Sequence, residues 1–434
     1  MLISYEPIRG MKDYYGKELE KIKFIENTFR EVVTKAGYSE IYTPVVEEFE
    51  LFSLKGGEEL RNTMYVFKDK AGREVALRPE FTPSVVRAYL NGMQHLPKPL
   101  RLFYIGTVYR YDEPQYGRYR EFRQAGIELI GSNNILSDIE VLNLLIQVYF
   151  SLGLINEIEI KINNIAIYRK IFNKMNIDES KQEHILHLID KGRKDEAVKE
   201  LHESEFTSLI QYLLEQNKMD ENSYEEVIKE ASKYEYLGLK EEIERIRVIN
   251  KVISELRVKT KVDLGFVRGL AYYTGVIFEV THPNVPFSIA GGGRYDGLIE
   301  LYGGNDTPAI GFAVGIERTS LVLNSVISQK LPKKGVLIIL SEDRSSNNYN
   351  EGIISYGFKT LEKLRRLGLA TTLNLKEQSL SKLIPSYLEE GYSFLVIIGR
   401  KEFEERKVTI KNLENKTQVT IPESNIEDYV KQII

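Results

Sequence analysis

The residues of this chain that could do chemistry are arginines, carboxylates and tyrosines drawn from distant segments. Collected, they are Glu80, Arg110, Gln124, Glu128, Arg268, Tyr272, Tyr273, Tyr295 and Arg318. Three arginines can neutralise a polyphosphate, because the guanidinium fork matches phosphate and carboxylate oxygens in pairs. Two carboxylates and an amide can hold an ammonium group or polarise an imidazole. Tyrosines can wall a flat ring and still offer a hydroxyl. The sequence shows no Ser–His pair, thiol or metal triad. The chemistry that suits the set is phosphoryl or nucleotidyl transfer by positioning and charge stabilisation. Singly, each arginine reads as surface and each tyrosine as core, so the argument rests on their conjunction.

The element that must position several of them is the stretch RLFYIGTVYRYDEPQYGRYREFRQAGIELIG, Arg101 to Gly131. Two apolar-aromatic runs flank a polar loop, Asp112 to Gly117, which predicts an antiparallel hairpin. Strand side chains alternate faces. Leu102, Tyr104, Gly106, Val108 and Arg110 therefore share one face of the first strand. Arg120, Phe122, Gln124, Gly126 and Glu128 share one face of the second. An amide, a bare glycine and a carboxylate on one face fit the floor of a polar pocket, with Gly126 leaving room. Arg110, Arg118, Arg120 and Arg123 could all reach such a pocket. Taken alone, the stretch equally fits a solvated amphipathic hairpin.

Composition narrows the class. The 434 residues carry 59 Lys+Arg against 63 Asp+Glu, a net charge of -4. No basic excess announces nucleic acid, so any such contact must come from local patches. The absence of cysteine excludes disulfides, Cys-ligated zinc and thiol nucleophiles. No apolar run approaches the ~20 residues of a membrane span, and the N-terminus has acids early and no apolar signal core. A cytoplasmic protein without membrane attachment is expected. Of five histidines, His184 and His187 lie three apart on a helix-like segment, and without a third ligand they read as a surface pair.

Along the chain, apolar spacing from Lys17 predicts a helix stopped at Gly37. A strand broken at Thr43-Pro44 follows, as an edge or interface, then a Gly56-Gly57 loop and a hairpin of Tyr65–Lys68 with Glu74–Leu77. Leu77-Arg78-Pro79 places Glu80 at a strand end, where it could cap the next helix or bind a cation. Thr82-Pro83 reads as a helix N-cap with proline at the first position. Ile135 to Leu152 is a helix with apolar residues on most faces, hence buried, and Glu157 to Asn163 a strand. Tyr168 to Leu256 is Lys/Glu-rich and helical. Residues 261–323 hold two strands, glycine clusters and a helix near Ile316 to Leu323. After a linker, Lys330 to Gly335, strand and helix alternate to the end, with a helix from Tyr349, Pro385 inside another helix, a late hairpin and a last helix to Ile434. That pattern predicts a mostly parallel sheet.

The chain resembles the histidyl-tRNA synthetases, class II aminoacyl-tRNA synthetases, over nearly its whole length. Lys17 to Pro44 resembles the first class signature, with Pro44 at a dimer interface. Arg101 to Gly131 resembles the second, with Arg110 as its arginine, and GFAVGIER the third, with Arg318. Family-level matches are LRPE at Leu77 to Glu80, VRGLAYYTG at Val267 to Gly275 and GGGRYDGL at Gly291 to Leu298. The resemblance implies an α+β catalytic domain on a mixed, mainly antiparallel sheet, residues 1–166 and 258–328. It implies a helical insertion, 167–257, and a C-terminal anticodon-binding α/β domain, 334–434, with a mostly parallel sheet.

It also implies roles. Arg110 bridges the ATP α-phosphate and the histidine carboxylate, and Arg268 stabilises the transition state from the opposite side; these two are the catalytic pair. Arg118 and Arg318 hold phosphates. Glu80, Thr82 and Gln124 hold the α-ammonium. Glu128, Tyr273 and Tyr295 surround the imidazole, with Tyr272 close by. Gln115 faces the tRNA acceptor end. ATP arrives with Mg²⁺, no protein-ligated structural metal is expected, and L-histidine and tRNA(His) are the other substrates of a homodimer. Two departures stand out: Ala271 where the family usually carries Asp, and Arg123 where His or an aromatic is usual. The rival implied by the same resemblance is a histidine-sensing regulatory subunit of ATP phosphoribosyltransferase. Such proteins typically lack the last domain and parts of the ATP site, whereas Arg110, Arg268 and Arg318 are all present here.

Overall fold

A computed structural model describes residues 5–56, 58–201, 204–268, 272–323, 334–340, 351–376 and 378–433. The first helix, α1 (Gly16–Lys35), forms because Ile22, Ile25, Phe29 and Val33 recur at helical spacing and bury together; Gly37, at φ +84, ends it. Then come β1 (Ser39–Glu40), β2 (Val46–Glu48), α2 (Glu50–Gly56), β3 (Val66–Lys68), β4 (Glu74–Leu77), α3 (Thr82–Gly92), β5 (Leu100–Tyr109), β6 (Glu121–Ile130), α4 (Ile135–Ser151) and β7 (Glu159–Asn164). The helical run is α5 (Ala166–Lys174), α6 (Glu179–Asp190), α7 (Lys194–Lys199), α8 (Glu205–Glu215), α9 (Glu221–Ala231) and α10 (Leu239–Ser254). After it stand β8 (Lys259–Val262), β9 (Val276–Thr281), β10 (Ala290–Arg294), α11 (Leu298–Leu301), β11 (Ala309–Gly315) and α12 (Ile316–Val322).

Eight strands make one sheet in the order β1-β5-β6-β11-β10-β9-β7-β8. Only its outer pairs, β1 with β5 and β7 with β8, are parallel; the rest are antiparallel. Helices α1, α4 and α12 cover it, and α10 packs on α4 and β7. The edge strand β1 is only two residues long and stops at Glu40, ahead of Thr43-Pro44, and β2, β4 and β3 form a separate small sheet. Helix α4 is largely buried, but Leu136 and Phe150 remain 66% and 68% exposed.

One expectation is corrected. Residues 261–323 hold three complete strands, not two, because the glycine cluster Gly291–Gly293 is itself strand β10 between β9 and β11. Its lack of side chains hid it from any alternation pattern.

The chain divides into two compact units, Met1–Ile327 and Ser328–Ile434. The second contains β12 (Lys334–Ile339), α13 (Glu351–Arg366), β13 (Ala370–Leu373), α14 (Leu380–Glu389), β14 (Phe394–Ile398), α15 (Arg400–Glu404), β15 (Lys407–Asn412), β16 (Gln418–Pro422) and α16 (Ile426–Ile433). Strands β13, β12 and β14 are parallel, and the β15–β16 hairpin extends them antiparallel, so the sheet is mixed with a parallel core. Pro385 sits inside α14 as expected. Gly57, most of the 330–335 linker, the expected helix start at Tyr349 and Ile434 lie outside the described residues.

Candidate active site

The floor of the site is the centre of the eight-stranded sheet. Across the hairpin, Leu102, Tyr104, Gly106 and Val108 stand opposite Glu128, Gly126, Gln124 and Phe122. Gln124 and Glu128 are four residues apart on one face, about 13 Å along the strand. Both line one open cavity of about 970 Å³, together with Glu80, Thr82, Arg110, Arg118, Arg268, Tyr272, Tyr273, Tyr295 and Arg318. Eleven of the twelve residues to which the family resemblance gives roles thus meet at one place. The twelfth, Gln115, is exposed on the hairpin loop and pairs through its backbone with Arg118.

Glu128 is 1% exposed and takes three hydroxyl donors. Thr82 Oγ1 donates to Oε1 at 2.8 Å and Tyr104 to the same oxygen at 3.3 Å, while Tyr295 donates to Oε2. Burial pushes the Glu128 carboxyl up to about 7; the hydroxyl donors oppose this, and the charge of Glu80 adds to it. Glu80 accepts from Tyr272 at 2.5 Å and is also raised by burial, against the pull of Tyr272, Arg110 and Arg268. Tyr272 packs edge-on against Tyr273 and Tyr295, at 5.2 and 6.0 Å between ring centres.

The arginines occupy the other part of the cavity. Arg318 donates to the carbonyls of Gly117 and Ser288, at 2.8 and 3.1 Å, and lies over the Phe287 ring. Its pKa falls to about 10, through burial first and then the charges of Arg110, Arg118 and Arg268. Arg110 donates to the Pro79 carbonyl at 3.1 Å. Arg268 donates to the Phe278 carbonyl at 3.3 Å and stands 4.0 Å from Glu279. Its Nε, and Oε1 of Gln124, are buried polar atoms without a hydrogen-bond partner. Such atoms are costly unless a ligand meets them. The electrostatic neighbours grade along the cavity: Glu128 feels Glu80, Glu80 feels Arg110 and Arg268, and Arg318 feels three arginines. One part suits a cation or a hydrogen-bond donor, the other an anion.

The glycines serve the protein's own side chains. A Cβ at Gly291 would stand 1.7 Å from the Arg268 guanidinium, and one at Gly311 1.9 Å from Glu128 Oε2. At Gly126 it would meet the Tyr104 hydroxyl at 2.4 Å. Gly126 therefore makes way for Tyr104, not for a ligand, which corrects the expectation drawn from the bare face.

Three further expectations change. Arg120 and Arg123 do not line the cavity: Arg120 precedes β6 and donates to the Asp112 carbonyl, and Arg123 turns to Glu26 of α1. Thr82 is not the helix N-cap; Phe81 holds that position, no side chain caps α3, and the Thr82 hydroxyl is committed to Glu128. Glu80 is likewise bound to a tyrosine and not to the helix end. Ala271 lies outside the described residues.

Tyr104 and Glu317 are among the lining residues to which the sequence assigns no role. Tyr104 was on the right face, opposite Gly126, so alternation alone could have flagged it. Glu317, beside Arg318 in GFAVGIER, lines the cavity, accepts the Arg123 backbone N–H at 2.9 Å, and is raised by burial to about 7. Among the described residues no group of three or more His, Cys, Asp or Glu is placed to hold a metal ion.

This frame is that of a class II aminoacyl-tRNA synthetase. The chain superimposes on the crystal structure of histidyl-tRNA synthetase from Nostoc with a TM-score of 0.78, 24% identity and 100% of both chains covered. It also matches an ATP phosphoribosyltransferase regulatory subunit/histidyl-tRNA synthetase from Bacillus halodurans, at TM-score 0.73 and 23% identity, over 92% of this chain and 99% of that one. The Histidyl-tRNA synthetase family model covers residues 10–319 and the Anticodon binding domain model residues 334–433. The histidine--tRNA ligase of Sulfurisphaera tokodaii is 60% identical over 436 residues, 100% of each chain. The chain belongs to the histidyl-tRNA synthetase family.

Proposed function

We propose that this protein activates L-histidine with ATP, releasing pyrophosphate, and passes the histidyl group from the adenylate to the 3′ end of tRNA(His). The observation that carries the reading is the charge grading of the one cavity: a buried carboxyl ringed by hydroxyls, beside four arginines. Glu128, Tyr273 and Tyr295 receive the imidazole, and Glu80, Thr82 and Gln124 the α-ammonium. The unpartnered Gln124 Oε1 fits an ammonium donor. Arg110 bridges the histidine carboxylate and the α-phosphate, bringing nucleophile and phosphorus together. Arg268 faces the α-phosphate and offsets the charge that grows as the carboxylate attacks. Arg118 and Arg318 hold the outgoing phosphates. ATP enters as its Mg²⁺ complex. Gln115 meets the tRNA acceptor end, and residues 334–434 the anticodon.

Within this reading, residues 1–166 and 258–328 form the catalytic body and 167–257 an inserted module. The protein works in the cytoplasm as a homodimer built on the Thr43-Pro44 edge, which light scattering would test. Histidine-dependent exchange of pyrophosphate into ATP tests the activity, and its absence in pure protein would overturn the reading. The regulatory-subunit alternative predicts that absence. It is not favoured, because all four arginines line the cavity and residues 334–433 match an anticodon-binding domain.

A further inference from the structure

The tyrosine walls of the cavity hang on backbone that the helical run grips from outside. The segment Tyr272–Gly275 belongs to no strand or helix. It is held at one end by Ile165 N–H donating to the Gly275 carbonyl at 3.0 Å. Thr274 N–H donates to the Arg294 carbonyl at 2.8 Å, and Asp296 N–H to Thr274 Oγ1 at 3.0 Å. None of these bonds holds Tyr273 itself. Arg169, on α5, does: its Nε donates to the Tyr273 carbonyl at 3.0 Å, and its Nη2 to Glu183 of α6 at 2.8 Å. Both side chains are mostly buried, at 15% and 22% exposure. The guanidinium is thus fixed between two insertion helices and one peptide of the tyrosine segment.

The backbone bearing the third tyrosine, just past the end of β10, is tied the same way. Asp138 of α4, fully buried, takes Arg294 on Oδ1 at 2.6 and 2.9 Å and Arg245 of α10 on Oδ2 at 2.7 Å. Arg294 immediately precedes Tyr295. A buried carboxylate between two arginines, with Asp296 as a second acid at 3.0 Å from Arg294, balances its charges and locks the backbone it joins.

We infer that Arg169 is a positioning residue for the amino-acid substrate: from outside the cavity, it sets the Tyr273 peptide and so the tyrosine walls against which the substrate ring packs. The inference rests on the proposed histidine pocket. Arg169 is not among the residues lining the cavity, and its bonds to Tyr273 and Glu183 involve no phosphate-binding arginine. Its removal therefore acts first on the amino-acid pocket, and reaches the phosphate side only through the contact of Tyr273 with Arg268.

The test is pyrophosphate exchange with Arg169→Gln and Arg169→Lys in the full-length protein. A charged hydrogen bond lost at a mostly buried carbonyl raises the KM for histidine in Arg169→Gln about tenfold. The KM for ATP stays within about twofold, and Arg169→Lys recovers part of the loss because it keeps a donor. An unchanged histidine KM, or histidine and ATP KM values rising together with a lowered Tm, overturns the inference. If Arg169→Gln does not fold, Glu183→Gln, which frees the guanidinium to drift, gives a smaller rise in the histidine KM alone; no rise there also overturns it. Wild-type protein without histidine-dependent exchange would instead refute the functional reading itself.

Discussion

Glu128 and Gly311 face each other across β6 and β11, and the carboxylate of Glu128 lies over the bare backbone of Gly311. The carboxyl reaches Tyr295, Thr82 and Tyr104 only because position 311 has no Cβ. Gly311→Ala therefore has to displace Glu128 or bend the strand. Overpacking of this kind costs about 1–3 kcal/mol of stability. The KM for histidine should rise at least about tenfold with ATP binding intact, and an unaltered KM would show that Glu128 does not hold the substrate.

Arg268 lies across Gly291 with a buried, unpartnered Nε. If it stabilises charge that develops only during attack on the α-phosphorus, Arg268→Ala should lower the single-turnover rate of adenylate formation by about 10²–10³. Substrate binding should change little. A defect confined to KM would place Arg268 in ground-state binding instead.

Glu128 and Glu317 both hold carboxyls raised to about 7. In the unfolded chain such groups titrate near about 4.3. Between those values the folded state binds more protons than the unfolded one, so stability falls as pH rises through the interval. One such group withdraws about 4 kcal/mol by pH 8. Glu128→Gln removes one of the two, so its Tm should decline less than that of the wild type from pH 5 to 8. Parallel declines would refute the raised pKa.

Burial first, and then repulsion from three nearby arginines, lowers the Arg318 pKa to about 10. A bound polyphosphate relieves that repulsion. Pyrophosphate alone should raise the Tm of the free protein, through preferential binding to the folded state. The rise should shrink as salt is added, because screening weakens both the repulsion and its relief. A salt-independent shift, or none, would remove the arginine cluster from phosphate binding.

Most of the hairpin was legible because strand alternation is a strict geometric rule: Gln124 and Glu128 share the face the sequence assigned. The rule failed where the strand had not begun, at Arg120, and where the opposite face led elsewhere, at Arg123. Strand β10 was illegible because Gly291–Gly293 carry no pattern to read; what makes it a strand is the main chain packed on both sides of it. The partner of the Thr82 hydroxyl was likewise invisible, since 46 residues separate it from Glu128 and only the sheet brings them together. Tyr104 was in view, but nothing in one strand says that its hydroxyl leans over the glycine of the next.

The glycine-lined floor bears on how this pocket could be redesigned. Above Gly126, Gly291 and Gly311 the free space is already taken by Tyr104, Arg268 and Glu128, and a Cβ at Gly293 would press on Tyr273 at 2.9 Å. The glycine positions themselves hold nothing to trim. Among the tyrosine walls, room for a larger amino acid would come from cutting back Tyr272, Tyr273 or Tyr295, and each cut would remove a hydroxyl along with the bulk. Size and polarity cannot be changed separately here, so a single substitution that widens the pocket would also weaken its grip on any ligand that hydrogen-bonds.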